Sequence, residues 1–154
     1  MTKLVHKTGD VFSTHSRGIG HGVNVVGLMG HGIALQFRNR FPEMHNQYKV
    51  LCNNGSLRPG ETMIWEMPFE NPQPDHRLFV YNIASQDAPG ANAKMEWLIT
   101  GVANALSHAA EHGLESIALP RIGSGIGGLK QDEVEAALTK LAEESPVDIE
   151  LWTL

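Results

Sequence analysis

The sequence is poor in cysteine and has no long hydrophobic run. Its 154 residues include a single cysteine, Cys52, which has no partner for an internal disulfide. The amino terminus lacks the apolar stretch of a secretion signal. No hydrophobic segment approaches the roughly 20 residues that a membrane-spanning helix needs. We therefore expect a cytoplasmic protein that does not bind membranes.

Positive charge is also scarce. Twelve Lys and Arg face seventeen Asp and Glu, which gives a net charge of −5 with histidine neutral. This balance argues against general nucleic-acid binding, which depends on neutralising many phosphates. His15, His21 and His31 lack the short spacing of a metal site, so we predict neither a metal nor another cofactor. A small anion held by backbone amides stays open, and a monomer is the default expectation.

Apolar residues are abundant, since they make up 42% of the sequence and charged residues only 19%. This composition suits one globular domain over residues 1–154. Hydrophobic spacing predicts strands around Val5 and Phe12 and over residues 19–26, 62–67, 78–84, 116–119 and 147–152. It predicts helices over residues 33–37, 44–51, 95–109 and 134–141, and a Pro-rich turn over residues 68–75. The apolar run at 78–83 suits an interior strand covered on both faces. This order of elements predicts a three-layer α/β/α sandwich with parallel strand pairs at its centre.

Two glycine-rich segments each stand between a predicted strand and a predicted helix. The first reads GLMGHG at residues 27–32, and the second reads PRIGSGIGG at residues 120–128. Glycine lets backbone N–H groups approach an oxyanion without a Cβ in the way. Both segments are expected at the carboxyl ends of strands, where open α/β sheets bind ligands. Together they could hold a diphosphate, although either segment alone could equally be a tight turn.

Neither segment matches a standard nucleotide-binding motif. The chain has no GxxxxGK[ST] sequence, and no acidic residue stands about 20 residues beyond a GxGxxG sequence. These absences argue against a P-loop ATPase and against a dinucleotide-dependent oxidoreductase.

Three ordered motifs resemble the macro domain family of ADP-ribose-binding proteins. They are GDVF at residues 9–12, NVVGLMGHGIALQF at residues 24–37 and LPRIGSGIGGL at residues 119–129. Within that family the likeness is to the branch with the terminal ADP-ribose protein glycohydrolase and the bacterial DNA ADP-ribosylation antitoxins. The resemblance implies a mixed six-stranded central sheet. It also implies that the partner is ADP-ribose or an ADP-ribosylated macromolecule.

The resemblance carries ligand-binding roles to particular positions. Asp10, with Val11 beside it, matches the acidic residue that accepts a hydrogen bond from the adenine amino group. Asn24 matches the asparagine near the distal ribose. The phosphates would be bound by the two glycine loops, at Gly30, Gly32 and Ile33 and at Gly123, Ser124, Gly125, Ile126 and Gly127. The alternatives are that Asp10 caps a turn and that the amide of Asn24 is satisfied by the backbone.

The catalytic side chains of this branch do not match. Its glycohydrolases use a lysine shortly after the central strand, where this chain reads NIASQD at residues 82–87. The terminal glycohydrolase has an aspartate where Gly127 or Gly128 stands here. The candidates that remain are His31, Asp87 and Gln86, or a water oriented by a phosphate of the substrate.

Three functions follow from these motifs. We expect a hydrolase that removes ADP-ribose from a modified protein or nucleic acid. The alternatives are a non-catalytic ADP-ribose reader and an ADP-ribose 1″-phosphate phosphatase. Whether the chain is an enzyme at all stays open at this point.

Overall fold

A mixed six-stranded sheet forms the middle layer of the molecule in the computed structural model, which describes residues 3–68, 77–122 and 127–154. The strands are β1 (Leu4–Thr8), β2 (Gly18–Gly22), β3 (Thr62–Glu66), β4 (Phe79–Ile83), β5 (Ser116–Leu119) and β6 (Asp148–Thr153). Their order across the sheet is β1-β6-β5-β2-β4-β3. Strand β3 runs antiparallel to β4, and the other described pairs are parallel. The predicted parallel centre is confirmed.

Two helices cover each face of this sheet. They are α1 (Gly32–Arg40), α2 (Pro42–Asn53), α3 (Met95–Glu111) and α4 (Gln131–Glu143). Pro42 stands in the first turn of α2, where its missing N–H costs no helical hydrogen bond. Helices α1 and α2 pack on one face, and α3 and α4 pack on the other. The three-layer α/β/α sandwich is therefore confirmed. None of the helices in the described ranges combines the length and the apolarity needed to cross a bilayer.

Two hydrophobic clusters hold the layers together. The α1–α2 cluster centres on Phe37, Met44 and Tyr48, all fully buried. The α3–α4 cluster centres on residues such as Leu98 and Leu138, which are also fully buried. All five residues of β4 are buried, as expected for an interior strand covered on both faces.

Two predicted strands are wrong in part. Phe12 lies in a 3₁₀ turn (Val11–Ser13) and not in a strand, because the carboxylate of Asp10 caps that turn. Strand β2 ends at Gly22 instead of continuing to residue 26. The side chain of Asn24 bends the chain just beyond that point. The predicted turn at residues 68–75 lies almost wholly outside the described residues.

Candidate functional site

Both glycine loops lie at one edge of the sheet. Strands β2 and β5 are parallel neighbours, with Ile19 paired to Ala118. The loops that follow them therefore leave the sheet at the same edge. The described residues of both loops border a cavity of about 340 Å³, which we call the glycine-loop cavity. Its described lining residues are Gly22, Val23, Asn24, Leu28, Gly30, His31, Gly32, Ile33, Ala34, Ser85, Gln86, Pro89, Gly90, Arg121, Ile122 and Gly127.

A second cavity of about 580 Å³ adjoins the first, and we call it the Asp10 cavity. It is lined by Gly9, Asp10, Val11, Gly32, Ile33, Gln36, Pro120, Arg121, Trp152, Thr153 and Leu154. Gly32, Ile33 and Arg121 border both cavities. The two cavities thus meet at the start of α1, and we refer to them together as the cleft.

Asn24 organises the first glycine loop from within. Its Nδ2 donates to the carbonyl oxygen of Leu28 at 2.8 Å, and its Oδ1 accepts from the N–H groups of Val26 at 3.1 Å and Leu28 at 3.3 Å. The Tyr48 hydroxyl donates to Asn24 Oδ1 at 2.9 Å and to its carbonyl oxygen at 2.7 Å. Burial raises the pKa of Tyr48, so this hydroxyl keeps its proton. The structure thus shows the second of the two predictions for Asn24, in which groups of the protein satisfy its amide. Contact of Asn24 with the distal ribose stays a prediction.

The start of α1 presents amide groups to the cleft. Its N-cap residue, His31, makes no side-chain hydrogen bond to the first turn, and Gly32, Ile33 and Ala34 all line the glycine-loop cavity. The first N–H groups of a helix have no partner inside the helix, so an anion in the cleft could accept hydrogen bonds from them. Gly30 borders open space, with no atom within 4 Å of a Cβ built on it.

The structure describes the second glycine loop only at residues 120–122 and 127–128. Gly123, Ser124, Gly125 and Ile126 lie outside the described residues. Beyond them, a Cβ on Gly127 would lie 3.2 Å from the Cβ of Ala93. Gly128 has φ +87°, and a Cβ there would lie 2.9 Å from the Cβ of Ala91. A side chain at either position would crowd the neighbouring alanine, and at residue 128 it would also require a strained backbone.

Asp10 lies at the exposed end of the cleft. Its Oδ1 accepts from the N–H of Phe12 at 3.0 Å, so the predicted alternative of a turn cap is also true. The cap occupies one carboxylate oxygen. Oδ2 has no hydrogen-bond partner within the described ranges, which leaves it for a ligand. Trp152 borders the same cavity, and its Nε1 donates to Glu150 Oε1 at 3.0 Å, which orients the ring.

The three catalytic candidates occupy different settings. His31 is exposed and lines the cleft. Gln86 also lines it, but its Nε2 donates to the carbonyl oxygens of Ala88 at 2.7 Å and Gly90 at 3.4 Å, so the side chain holds its own loop. Asp87 is exposed and borders neither cavity. The structure brings His31 and Gln86 to the site and leaves Asp87 outside it.

Arg121 is a cleft residue that the sequence did not single out. It borders both cavities, and it is the one Lys or Arg among their described lining residues. A guanidinium at the junction of the cavities would stabilise a bound anion. Ser85 was missed as well. The signal available in the sequence for Arg121 and Ser85 was position alone, since each stands two residues after the end of a strand.

A buried histidine, His21, directly precedes Gly22, which lines the glycine-loop cavity. His21 is fully buried, and its ring stacks on that of Phe37 with centroids 3.8 Å apart. Its Nε2 lies 2.6 Å from Asn82 Oδ1. Burial lowers the pKa of His21 to about 4, so the ring is neutral at pH 7. Across the described parts of the chain, no group of three or more His, Cys, Asp or Glu side chains could hold a metal ion.

A family model for the Macro domain matches residues 21–138, a span that includes the first glycine loop, strands β3 to β5 and the second glycine loop. The chain belongs to the macro domain family. The predicted family resemblance is confirmed.

Individual relatives match nearly the whole chain. A DNA ADP-ribosyl glycohydrolase from Mycobacterium tuberculosis is 29% identical over 143 residues, which are 93% of this chain and 40% of that protein. The chain thus spans about two fifths of that relative's length. The solved macrodomain of Mycobacterium tuberculosis DarG superposes with a TM-score of 0.85 at 26% identity, covering 100% of this chain and 99% of that one. An ADP-ribose 1″-phosphate phosphatase from Lodderomyces elongisporus is 27% identical over 149 residues, or 86% of this chain and 89% of the phosphatase.

Proposed function

We propose that the cleft binds ADP-ribose and that the protein removes ADP-ribose from a modified protein or nucleic acid. The observation that carries this proposal is that Gly32, Ile33 and Arg121 border both cavities. One cleft then offers a carboxylate at one end, amides and a guanidinium in the middle, and a partly enclosed cavity at the other end. This sequence of groups suits a base, a diphosphate and a sugar, in that order.

The fit of each part follows from hydrogen-bonding chemistry. The free oxygen of Asp10 would accept from the adenine amino group, and the Trp152 ring would border the base. The first amides of α1 and the Arg121 guanidinium would bind the diphosphate where the two cavities meet. The distal ribose would then occupy the glycine-loop cavity, with its anomeric carbon toward the open side where a macromolecule is attached.

Hydrolysis breaks the bond between the anomeric carbon and the attached group, and water supplies the new oxygen. This step needs an oriented water and stabilisation of charge on the ribose. No carboxylate and no lysine stands among the described residues of the glycine-loop cavity. The acid–base group is then His31, or a phosphate oxygen of the substrate orients the water.

The relatives support this proposal by their names, one a DNA ADP-ribosyl glycohydrolase and one an ADP-ribose 1″-phosphate phosphatase. The missing carboxylate and lysine favour a second candidate, a reader that binds ADP-ribose without cleaving it. A phosphatase acting on the terminal 1″-phosphate is the third, since that phosphate would extend from the same cavity.

A substrate panel separates these functions. The wild-type protein would be incubated with a protein ADP-ribosylated on glutamate, with ADP-ribosylated DNA and with ADP-ribose 1″-phosphate. Chromatography would then resolve the products. Release of ADP-ribose from the protein or the DNA supports the hydrolase. Release of phosphate alone indicates the phosphatase, and binding without release indicates the reader. Absence of ADP-ribose binding by calorimetry would contradict all three.

Two variants then test the acid–base group. If His31 acts, His31→Ala loses at least about a hundredfold in turnover, whereas the exposed control Asp87→Ala keeps it. Full turnover in both variants would instead indicate a water oriented by the substrate phosphate.

A further inference from the structure

A buried hydroxyl at the wall of the glycine-loop cavity has no partner in the protein. Ser85 follows β4 and is fully buried, and its Oγ makes no hydrogen bond with any described residue. Its backbone, by contrast, is held on both sides. The Ser85 N–H donates to the carbonyl oxygen of Ile83 at 2.7 Å, and its carbonyl oxygen accepts from the N–H of Lys94 at 3.1 Å. The orphaned Oγ is therefore part of a well-anchored residue.

The position of this hydroxyl is defined by its neighbours. Ser85 lines the glycine-loop cavity. A Cβ on Gly22 would lie 2.7 Å from Ser85 Oγ and 3.1 Å from Ile122 Cγ2, so the hydroxyl uses space that any larger residue at position 22 would take. Buried polar groups without partners are rare and costly in folded proteins. A ligand in the cavity would supply the missing hydrogen bond.

One buried histidine can be excluded as a base for Ser85. It is His21, whose Nδ1 also has no partner among the described residues. Successive residues of a strand point to opposite faces of the sheet. His21 stacks on Phe37 in the α1–α2 layer, whereas Gly22 contacts Ser85 and Ile122 on the other face. The two groups are thus separated by the sheet, so His21 cannot take a proton from Ser85.

Resting on the proposed function, we propose that Ser85 Oγ hydrogen-bonds the distal ribose of bound ADP-ribose and selects for that sugar. A serine hydroxyl both donates and accepts, as ribose hydroxyls do. A site whose buried hydroxyl is satisfied only by the correct ligand discriminates against ligands that lack the matching group. ADP, which ends at the diphosphate, would leave Ser85 without a partner.

Calorimetry with ADP-ribose and with ADP tests this selection in wild-type protein, Ser85→Ala and the exposed control Ser107→Ala. We expect Ser85→Ala to weaken ADP-ribose binding by about tenfold, the value of one good hydrogen bond. It should change ADP binding by less than about twofold. Ser107→Ala should match the wild type for both ligands. Because the alanine removes an unpaired buried hydroxyl, the melting temperature of the ligand-free variant should stay unchanged or rise.

The outcomes separate this inference from the proposed function. Failure of the wild type to bind either nucleotide contradicts the proposed function. Unchanged ADP-ribose binding by Ser85→Ala, or an equal loss for both ligands, overturns the role of Ser85. A lower melting temperature of the free variant also overturns it, since that would reveal a structural hydrogen bond. Should Ser85→Ala not fold, Ser85→Cys keeps the shape with a weaker donor, and a selective loss for ADP-ribose is again required.

Discussion

The two ends of the cleft are built in different ways. At the Asp10 end, an exposed carboxylate on a short surface turn faces the cavity, with one oxygen used as a cap. At the glycine-loop end, two polar side chains are buried in the sandwich, since Asn24 is 6% exposed and Ser85 is fully buried. At the Asp10 end, a substitution can therefore change ligand binding with little effect on the stability of the fold. At the second end, the residues that shape the cavity also hold neighbouring segments of the protein together.

Within the glycine-loop end, buried polar groups again divide into two kinds. Asn24 makes hydrogen bonds to two backbone segments and to Tyr48, whereas Ser85 Oγ makes none with the described residues. A buried polar group that is hydrogen-bonded within the protein contributes to its stability. A buried polar group without such a partner can hydrogen-bond a ligand instead. Substitutions at the two ends should therefore differ in whether they affect stability, binding or both.

The largest effect is expected for Asn24→Ala. The substitution removes the partner of the Leu28 carbonyl and of the Val26 and Leu28 N–H groups, and it leaves the Tyr48 hydroxyl only the backbone carbonyl of residue 24. We expect a loss of about 3 kcal/mol in the free energy of unfolding, at about 1 kcal/mol for each hydrogen bond lost. ADP-ribose binding should fall as well, because the loop is no longer held. Urea denaturation and calorimetry measure the two effects.

The matched control is Asn104→Ala on the exposed surface of α3, which should change stability by less than about 0.5 kcal/mol. A near-neutral Asn24→Ala would show that the first glycine loop does not depend on this amide, and the contrast between the two ends would be lost.

Acid should weaken the glycine-loop end through His21. Its pKa is about 4 in the folded protein against an ordinary 6.5, so the unfolded state binds the proton first as pH falls. The stability from this residue is complete above pH 6.5 and is lost as pH falls toward 4. It amounts to about 3 kcal/mol.

Urea denaturation at a series of pH values checks this. His21→Phe should have a smaller fall in stability between pH 6.5 and pH 4 than the wild type. Burial also lowers the pKa of His45 and His108, so part of the fall remains in the variant. Parallel profiles for the two proteins would refute the assignment to His21.

A smaller effect is expected for Gly128→Ala at the exit of the second glycine loop. The alanine would combine a φ of +87° with a Cβ 2.9 Å from that of Ala91, and we expect a loss of about 2 kcal/mol. Gly113→Ala is the control, because φ is +71° there and the space is open. It should cost about 1 kcal/mol. Equal losses in thermal denaturation would show that the second glycine loop is not closely packed on residue 91.

The smallest change should come from Asp10→Asn, and it should be confined to binding. Asparagine caps a turn as well as aspartate does, so the melting temperature should stay within about 1 °C of the wild type. Loss of the carboxylate should weaken ADP-ribose binding by about tenfold, which corresponds to about 1.4 kcal/mol. A destabilised variant with unchanged affinity would make Asp10 a purely structural residue.

Much of the fold could be predicted because it depends on local patterns. Hydrophobic spacing located all four helices, and the uninterrupted apolar run marked the interior strand β4. Strand β2 ends earlier than the apolar alternation predicts, and the hydrogen bonds of the Asn24 side chain to Val26 and Leu28 that follow it leave no trace in that alternation. Phe12 was assigned to a strand because the cap made by Asp10 has no signature in hydrophobic spacing.

The site was predicted less evenly than the fold. Glycine spacing placed the first loop and its helix correctly, since φ and close approach are backbone properties that glycine reveals. The settings of Ser85 and Asp87 depend instead on the path of the chain after β4, which buries the first and exposes the second. Burial of single loop residues follows from packing between distant segments, and no local pattern predicts it.

A crystal structure of the complex with ADP-ribose tests the central claim, that one continuous cleft holds the whole ligand. We predict the adenine amino group within hydrogen-bond distance of Asp10, the diphosphate beside Gly32 and Arg121, and a distal ribose hydroxyl within hydrogen-bond distance of Ser85 Oγ. Adenine in the glycine-loop cavity, or a nucleotide bound away from this edge of the sheet, would contradict the account.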